Sequence, residues 1–204
     1  ALAKIIKDMQ NKHLKSLISS IYKENADVIK QHPASMKLHH AWLGGFLEHV
    51  LSMAKLGVHL GKHYDVDGDL LLTGILLHDI GKIVELNPAQ QPGYTDEGQL
   101  LGHIVLGRDI ARDAISQIDD FPKELQLKVE HMILSHQGKY EWQSPKRPKF
   151  KEALLLHHID ELDARMNMME EVLEKDGEPG AWTNRFNYFR IPLLKGDLED
   201  DEDV

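Results

Sequence analysis

Leu70-Leu-Leu-Thr-Gly-Ile-Leu-Leu-His-Asp-Ile-Gly-Lys82 runs from a segment that is apolar on every side, Leu70 to Leu77, straight into His78 and Asp79. A helix without a polar face has to be buried in the centre of a protein. It therefore delivers an imidazole and a carboxylate into a core, where a charge without a partner is costly. Neighbouring residues on a helix point about 100° apart. His78 and Asp79 can thus face one point only if the helix ends or distorts there, and Gly81 is consistent with such an irregularity.

On either side of this stretch, apolar residues recur at helical spacing. Ile5, Ile6, Met9, Leu14, Leu17, Ile18 and Ile21 predict one amphipathic helix over the first thirty residues, which packs on its own domain or on a neighbour. A second helix is expected from about Ala41 to His63, with Gly44 and Gly45 as points of close packing. The breakers between Asn87 and Thr95 mark a loop, and helical periodicity resumes from Leu100 to Ile118. Pro122 suits a first helical turn and Gly138 a helix end, so another helix is expected over 122–136. Ser144 to Pro148 form a second loop, and a last long helix runs from Lys151 to Lys175, stopped by Gly177 and Gly180. Trp182, Phe186, Tyr188 and Phe189 then fold back on the body or cover a surface. No period-two alternation is long enough for a sheet, so the fold class is all-α. The 204 residues, 42% of them hydrophobic, suit one domain over 1–195 followed by an acidic, disordered tail over 196–204.

The absence of cysteine excludes disulfides, zinc-thiolate sites and thiol nucleophiles. A transition metal would have to be held by imidazole and carboxylate, and the chain has 13 histidines, about twice the usual share. The formal charge of −9 argues against a simple polyanion binder. No apolar run is long enough for a membrane span and no signal peptide is visible, so no membrane partner and a cytoplasmic location are expected. The start at Ala1 without an initiator methionine suggests that upstream residues were removed or lie outside this sequence.

Four more residues sit, like His78 and Asp79, within apolar helical runs: His49, His103, His136 and Asp160. Imidazole nitrogen and carboxylate oxygen suit divalent ions, and a carboxylate can bridge two of them. Six such residues on five helices fit a site in the centre of a bundle. Taken alone, each histidine reads better as a hydrogen-bonded core or boundary residue, and Asp160 as a structural ion-pair partner of Arg165 or another residue. The loop from Lys139 to Lys149 interleaves Tyr140 and Trp142 with Lys146 and Arg147. It reads as a groove for single-stranded nucleic acid or as an ordinary solvated loop. His59 and His63 read as surface residues, and His39, His40, His157 and His158 as partners or pocket lining for the ligands.

The ordered set His49, His78-Asp79, Asp160, with Leu76-Leu-His-Asp-Ile-Gly-Lys82 around the pair, resembles the H…HD…D pattern of the HD superfamily of metal-dependent phosphohydrolases. The segments His39 to His49, Asp69 to Asp79, Tyr94 to Gly107, Leu134 to Trp142, Ser144 to Pro148 and Leu156 to Arg165 are similar to the C-terminal domain of YhaM-type bacterial 3′-to-5′ exoribonucleases. The resemblance implies an HD-domain helical bundle with a central buried metal site. It implies one ion on His49, His78, Asp79 and Asp160, and a second on Asp79, His103 and His136, with Asp79 bridging. Manganese is the ion it favours, and Fe²⁺, Co²⁺, Ni²⁺ or Zn²⁺ would suit the same donors. Asp79 and Lys82 become catalytic, and Lys82, Tyr140, Trp142, Lys146 and Arg147 contact the substrate. The activity implied is 3′-to-5′ exonuclease action on single-stranded RNA or DNA, releasing nucleoside monophosphates. The alternatives are hydrolysis of a small nucleotide and an inactive regulatory or nucleic-acid-binding module. Two departures stand out: Gln137 occupies the place of a second histidine in the family, and nothing in the chain corresponds to the family's N-terminal OB-fold. An oligomer is compatible with the long N-terminal helix.

Overall fold

The computed structural model describes residues 2–32, 44–87 and 93–196. The acidic run from Leu198 onward, His39, His40 and the middle of the expected loop at 87–95 lie outside them. The chain groups by contact into two compact units, Ala1–Asp163 and Ala164–Val204.

In the first unit the expected single N-terminal helix is three: α1 (Leu2–Asp8), α2 (Lys12–Glu24) and α3 (Ala26–Gln31). Asparagine makes both later breaks, because its short amide competes for backbone groups. The Asn11 side chain accepts from the amides of His13 and Leu14 at 3.1 and 3.2 Å, and the Asn25 amide donates to the Ile21 carbonyl at 2.9 Å. There follow α4 (Gly45–His63), α5 (Gly68–Leu77), the short α6 (Lys82–Glu85), β1 (Leu86–Asn87), β2 (Gly93–Tyr94), α7 (Asp96–Ser116), α8 (Lys123–Ser135) and α9 (Lys151–Lys175), the last crossing into the second unit. β1 and β2 pair antiparallel, Leu86 opposite Tyr94. That ribbon is too short to change the all-α class.

α5 is the axis of the first unit. Every residue from Leu70 to Leu77 is buried, and α2, α4 and α8 pack around it. Asp67 caps its start, accepting from the Leu70 amide at 3.0 Å. The buried face of α2, Leu14, Leu17, Ile18 and Ile21, belongs to the same core, and the Tyr22 hydroxyl donates to the Leu76 carbonyl at 2.8 Å. The N-terminal segment therefore packs on its own unit. α7 starts earlier than its periodicity predicts, because Thr95 accepts from the Gly98 amide at 2.9 Å and caps it.

In the second unit the chain beyond α9 is tied by backbone hydrogen bonds between Thr183 and Leu193 and between Lys195 and Ala181, both 2.8 Å. The Asp176 carboxylate accepts from the Asn184 amide at 2.9 Å and from Lys195 at 3.1 Å. Trp182, Phe186 and Tyr188 are exposed. No helix among the described residues is long and apolar enough to cross a membrane.

The turn between α1 and α2 is anchored on the central helix by Asp69, whose carboxylate accepts from the backbone amides of Gln10 and Asn11 at 2.7 and 2.6 Å. Asp69→Ala leaves both donors without that acceptor and is expected to lower stability in urea titration by about 1–2 kcal/mol.

Candidate metal centre

α5 ends at Leu77, one residue before the pair. From there the backbone tightens, with Ile80 bonding to Leu77, Lys82 to Asp79 and Ile83 to Ile80 at 3.2, 2.9 and 3.2 Å. These are bonds to the third preceding residue, the pattern of a helix terminus. The distortion required for His78 and Asp79 to share a focus is thus present, and His78 Nε2 lies 3.3 Å from Asp79 Oδ2. Gly81 is indispensable to the placement. A Cβ there would stand 2.0 Å from the His103 carbonyl oxygen and 2.5 Å from the Gly107 amide, so only glycine lets the turn press against α7.

α7 is broken at Gly102, with φ 73° and ψ 156°, a region essentially restricted to glycine. Just past the break, Glu85 Oε1 accepts from the His103 backbone amide at 2.9 Å and from its ring Nδ1 at 3.1 Å. The kink and Glu85 together aim the ring inward.

The same arrangement recurs at every imidazole of the cluster. Nδ1 of His49 donates to Asp163 at 2.7 Å, that of His78 to the Ile75 carbonyl at 2.8 Å, and that of His136 to the Ile133 carbonyl at 2.8 Å. Carbonyl and carboxylate oxygens can only accept here, so each ring carries a proton on Nδ1 and turns Nε2 toward the centre, as a lone pair whenever the ring is neutral. Those Nε2 atoms face carboxylate oxygens: His49 to Asp160 at 3.3 Å, His78 to Asp160 at 3.8 Å, and His103 and His136 to Asp79 Oδ1 at 3.4 and 3.6 Å. Asp79 is 3% exposed and also takes Lys82 Nζ at 2.6 Å.

Lone pairs facing carboxylates need positive charge between them. Burial opposes charge on His49, but hydrogen bonds to Asp160 and Asp163 outweigh it and push the ring up to about 9. On His136 burial prevails, reinforced by the charge of His78, and pushes the ring down to about 4. Against burial, Lys82 and His78 hold Asp79 well below the usual carboxylate range, and His78 and His49 do the same for Asp160. Among the described residues, His78 Nε2, His103 Nε2 and Asp79 Oδ1 are buried without a hydrogen-bond partner. Donor atoms of His49, His78 and Asp79, and of Asp79, His103 and His136, form two groups each within 4.8 Å. The donor set fits divalent metal, with Asp79 common to both groups.

All six sequence-predicted ligands meet here. The partners that orient them, Asp163 and Glu85, escaped the sequence reading, although Asp163 lies one helical turn beyond Asp160 and Glu85 one turn beyond Lys82. Ser52 also donates to Asp163. His157 supports the site from behind, its Nδ1 donating to the His136 carbonyl at 2.8 Å. His158 is exposed, as are His59 and His63 on α4. Gln137 Nε2 lies 3.3 Å from His136 Nε2.

Beside the cluster opens a cleft of about 680 Å³. Lys82, Glu85, His103, Gln137 and Trp142 line it. Lys139 Nζ sits 3.9 Å over the Trp142 ring. Tyr140, Lys146 and Arg147 are exposed on the same loop, outside the lining. The loop is held to α8 by the Lys146 amide, which donates to the Leu134 carbonyl at 3.2 Å.

Comparison with protein-family models matches residues 46–165, more than half of the chain, to the HD domain. A helicase family model, TraI_2, matches residues 2–68, which hold His49 and none of the other five candidate ligands. The 3′-5′ exoribonuclease YhaM of Bacillus subtilis (strain 168) is 41% identical over 187 residues, 90% of this chain and 58% of the relative. The enzyme of the same name from Bacillus licheniformis is 42% identical over 188 residues, 91% and 59% of the two chains, and that from Shouchella clausii 41% over 180 residues, 87% and 56%. The chain thus spans under two thirds of the length of these relatives. No solved structure matches.

Metal content after equilibration with Mn²⁺ and dialysis tests the geometry. Asp79→Ala is expected to retain no ion. Gly102→Ala, strained by about 1–3 kcal/mol at its φ, is expected to lose the part that depends on His103, while His59→Ala retains the wild-type content.

Proposed function

The chain belongs to the HD-domain family, and we propose that it is a metal-dependent phosphodiesterase that shortens single-stranded RNA from the 3′ end, releasing nucleoside monophosphates. The observation that carries this reading is the convergence of four oriented imidazoles on Asp79 and Asp160, one of which, His103, lines with Lys82 a cleft large enough for a nucleotide. The naming of the relatives as 3′-5′ exoribonucleases supports the direction of attack and the polymer. An RNA substrate and a cysteine-free chain fit a cytoplasmic enzyme.

In this reading His49, His78, Asp79 and Asp160 hold one manganese ion, and Asp79, His103 and His136 a second. Paired divalent ions supply Lewis acidity toward phosphate oxygens and toward water. The remaining work belongs to the protein. Asp79 holds Lys82 Nζ at 2.6 Å and, against burial, raises its affinity for the proton. Lys82 thus keeps its charge at the cleft floor, where it meets the phosphate and the charge that develops on it in the transition state. Glu85 and Asp163 fix His103 and His49 so that neither ring has to reorient when substrate enters. Trp142 offers an aromatic face to a base, and Tyr140, Lys146 and Arg147 meet the strand farther from its end.

With Mn²⁺ and 5′-labelled oligoribonucleotides, progressive shortening is expected, abolished by chelation and by Asp79→Ala. Lys82→Met should lower kcat by about a hundredfold with little change in KM. Phosphate release from mononucleotides with no shortening of the oligomer would reassign the site to small nucleotides. Hydrolysis indifferent to Asp79→Ala would remove the metal centre from the reaction.

A further inference from the structure

The cleft has a second wall that the site chemistry leaves unused. Tyr94 from β2 and Leu100 and Leu101 from the first turns of α7 line it, yet they are 54%, 83% and 52% exposed. Apolar side chains gathered at the rim of a polar site mark a ligand surface. The break at Gly102 separates this part of α7 from His103, so one kink presents leucines at the rim and a ligand at the floor. Trp142, 38% exposed, comes from another element, the turn after α8. The floor between these elements is polar and carries Lys82 and His103.

An occupant of this cleft must pair an anionic end with a flat, weakly polar body. A nucleotide at the end of an unpaired strand has that form, with its phosphate over the floor and its base between the walls. A paired terminal base, stacked on its neighbour, has one free face at most and cannot be held between two walls.

We propose that Tyr94 and Leu101, with Trp142 of the same cleft, clamp the base of the 3′-terminal nucleotide, so that the enzyme selects an unstacked, unpaired end. The clamp rests on the phosphodiesterase reading given above and adds to it the residues that read the leaving nucleotide. Contact is with the faces of the base, so all four bases are accepted, purines more tightly because they stack over a larger area.

The test uses Leu101→Ser and Tyr94→Ala, both at exposed positions where substitution costs the core little. Helicity and Mn²⁺ content are checked first. Each variant is expected to raise KM for an oligoribonucleotide about tenfold. Replacing the terminal nucleotide with an abasic one should impose a similar penalty on the wild type and little further penalty on the variants. Equal, additive penalties would show that these residues do not meet the base and would overturn the clamp. A second readout does not depend on turnover: a 3′-terminal 2-aminopurine on an oligomer with a non-cleavable last linkage should be quenched by the wild type and much less by either variant. If the wild type cleaves no oligomer, the exonuclease reading fails on that assay alone, whereas undiminished quenching by both variants would sink the clamp.

Discussion

The buried carboxylate of Asp79 is the constraint on which the rest of the first unit depends. It lies at the end of the most apolar helix in the chain, 3% exposed, and faces Lys82, His78, His103 and His136 within 3.6 Å. A carboxylate in that position is tolerated only if positive charge meets it from several directions. His78 and Lys82 come from its own turn and His103 and His136 from α7 and the end of α8, so the surroundings of one side chain tie together the turn, α7 and α8. Gly81 and Gly102 follow from it. The first permits backbone to touch backbone, and the second turns the chain so that His103 points inward.

The cluster is built to hold a cation, at a cost to the metal-free protein. Imidazole lone pairs and carboxylate oxygens face one another at 3.3–3.8 Å, a repulsive pairing unless a proton or an ion lies between them. The high proton affinity of His49 and the low one of His136 express the same field at two places. Where Asp160 and Asp163 surround the ring, positive charge is drawn in. Where burial and a neighbouring imidazole dominate, the ring stays neutral, its Nε2 turned toward Asp79 and Gln137. Outward Nδ1 contacts give the histidines their rigidity, so an ion would find donors already oriented.

The cleft joins this charged floor to apolar walls. In the proposed reaction, discrimination between phosphate esters has to come from what surrounds the leaving group. The loop carrying Trp142 and the first turns of α7 belong to separate elements, and both are fixed to the body close to the metal residues. The residues of the proposed clamp and the candidate metal residues are neighbours along the chain, Leu101 two residues before His103 and Trp142 six after His136.

Local chemistry was legible in the sequence. The apolar run ending in His78-Asp79, the histidines set in apolar stripes and the absence of cysteine pointed to an all-α core holding imidazole and carboxylate. The ordered pattern of His49, His78-Asp79 and Asp160 pointed to the family, because donor types and their order are read directly from the chain. Three features were not legible. The N-terminal segment reads as one helix, since its apolar period continues across Asn11 and Asn25; the breaks depend on Asp69, distant in sequence, and on side-chain capping. Asp163 and Glu85 look like ordinary surface acids until the fold sets them behind His49 and His103. Leu100 and Leu101 fit a helical stripe equally well facing the core or the rim, and only the conformation of Gly102 decides. Sequence alone determined which donors exist and that they must be buried, because composition and periodicity record the solvent each residue prefers. Tertiary structure decided which nitrogen faces the centre and what walls surround it, because those depend on contacts between segments whose separation along the chain carries no periodic signal.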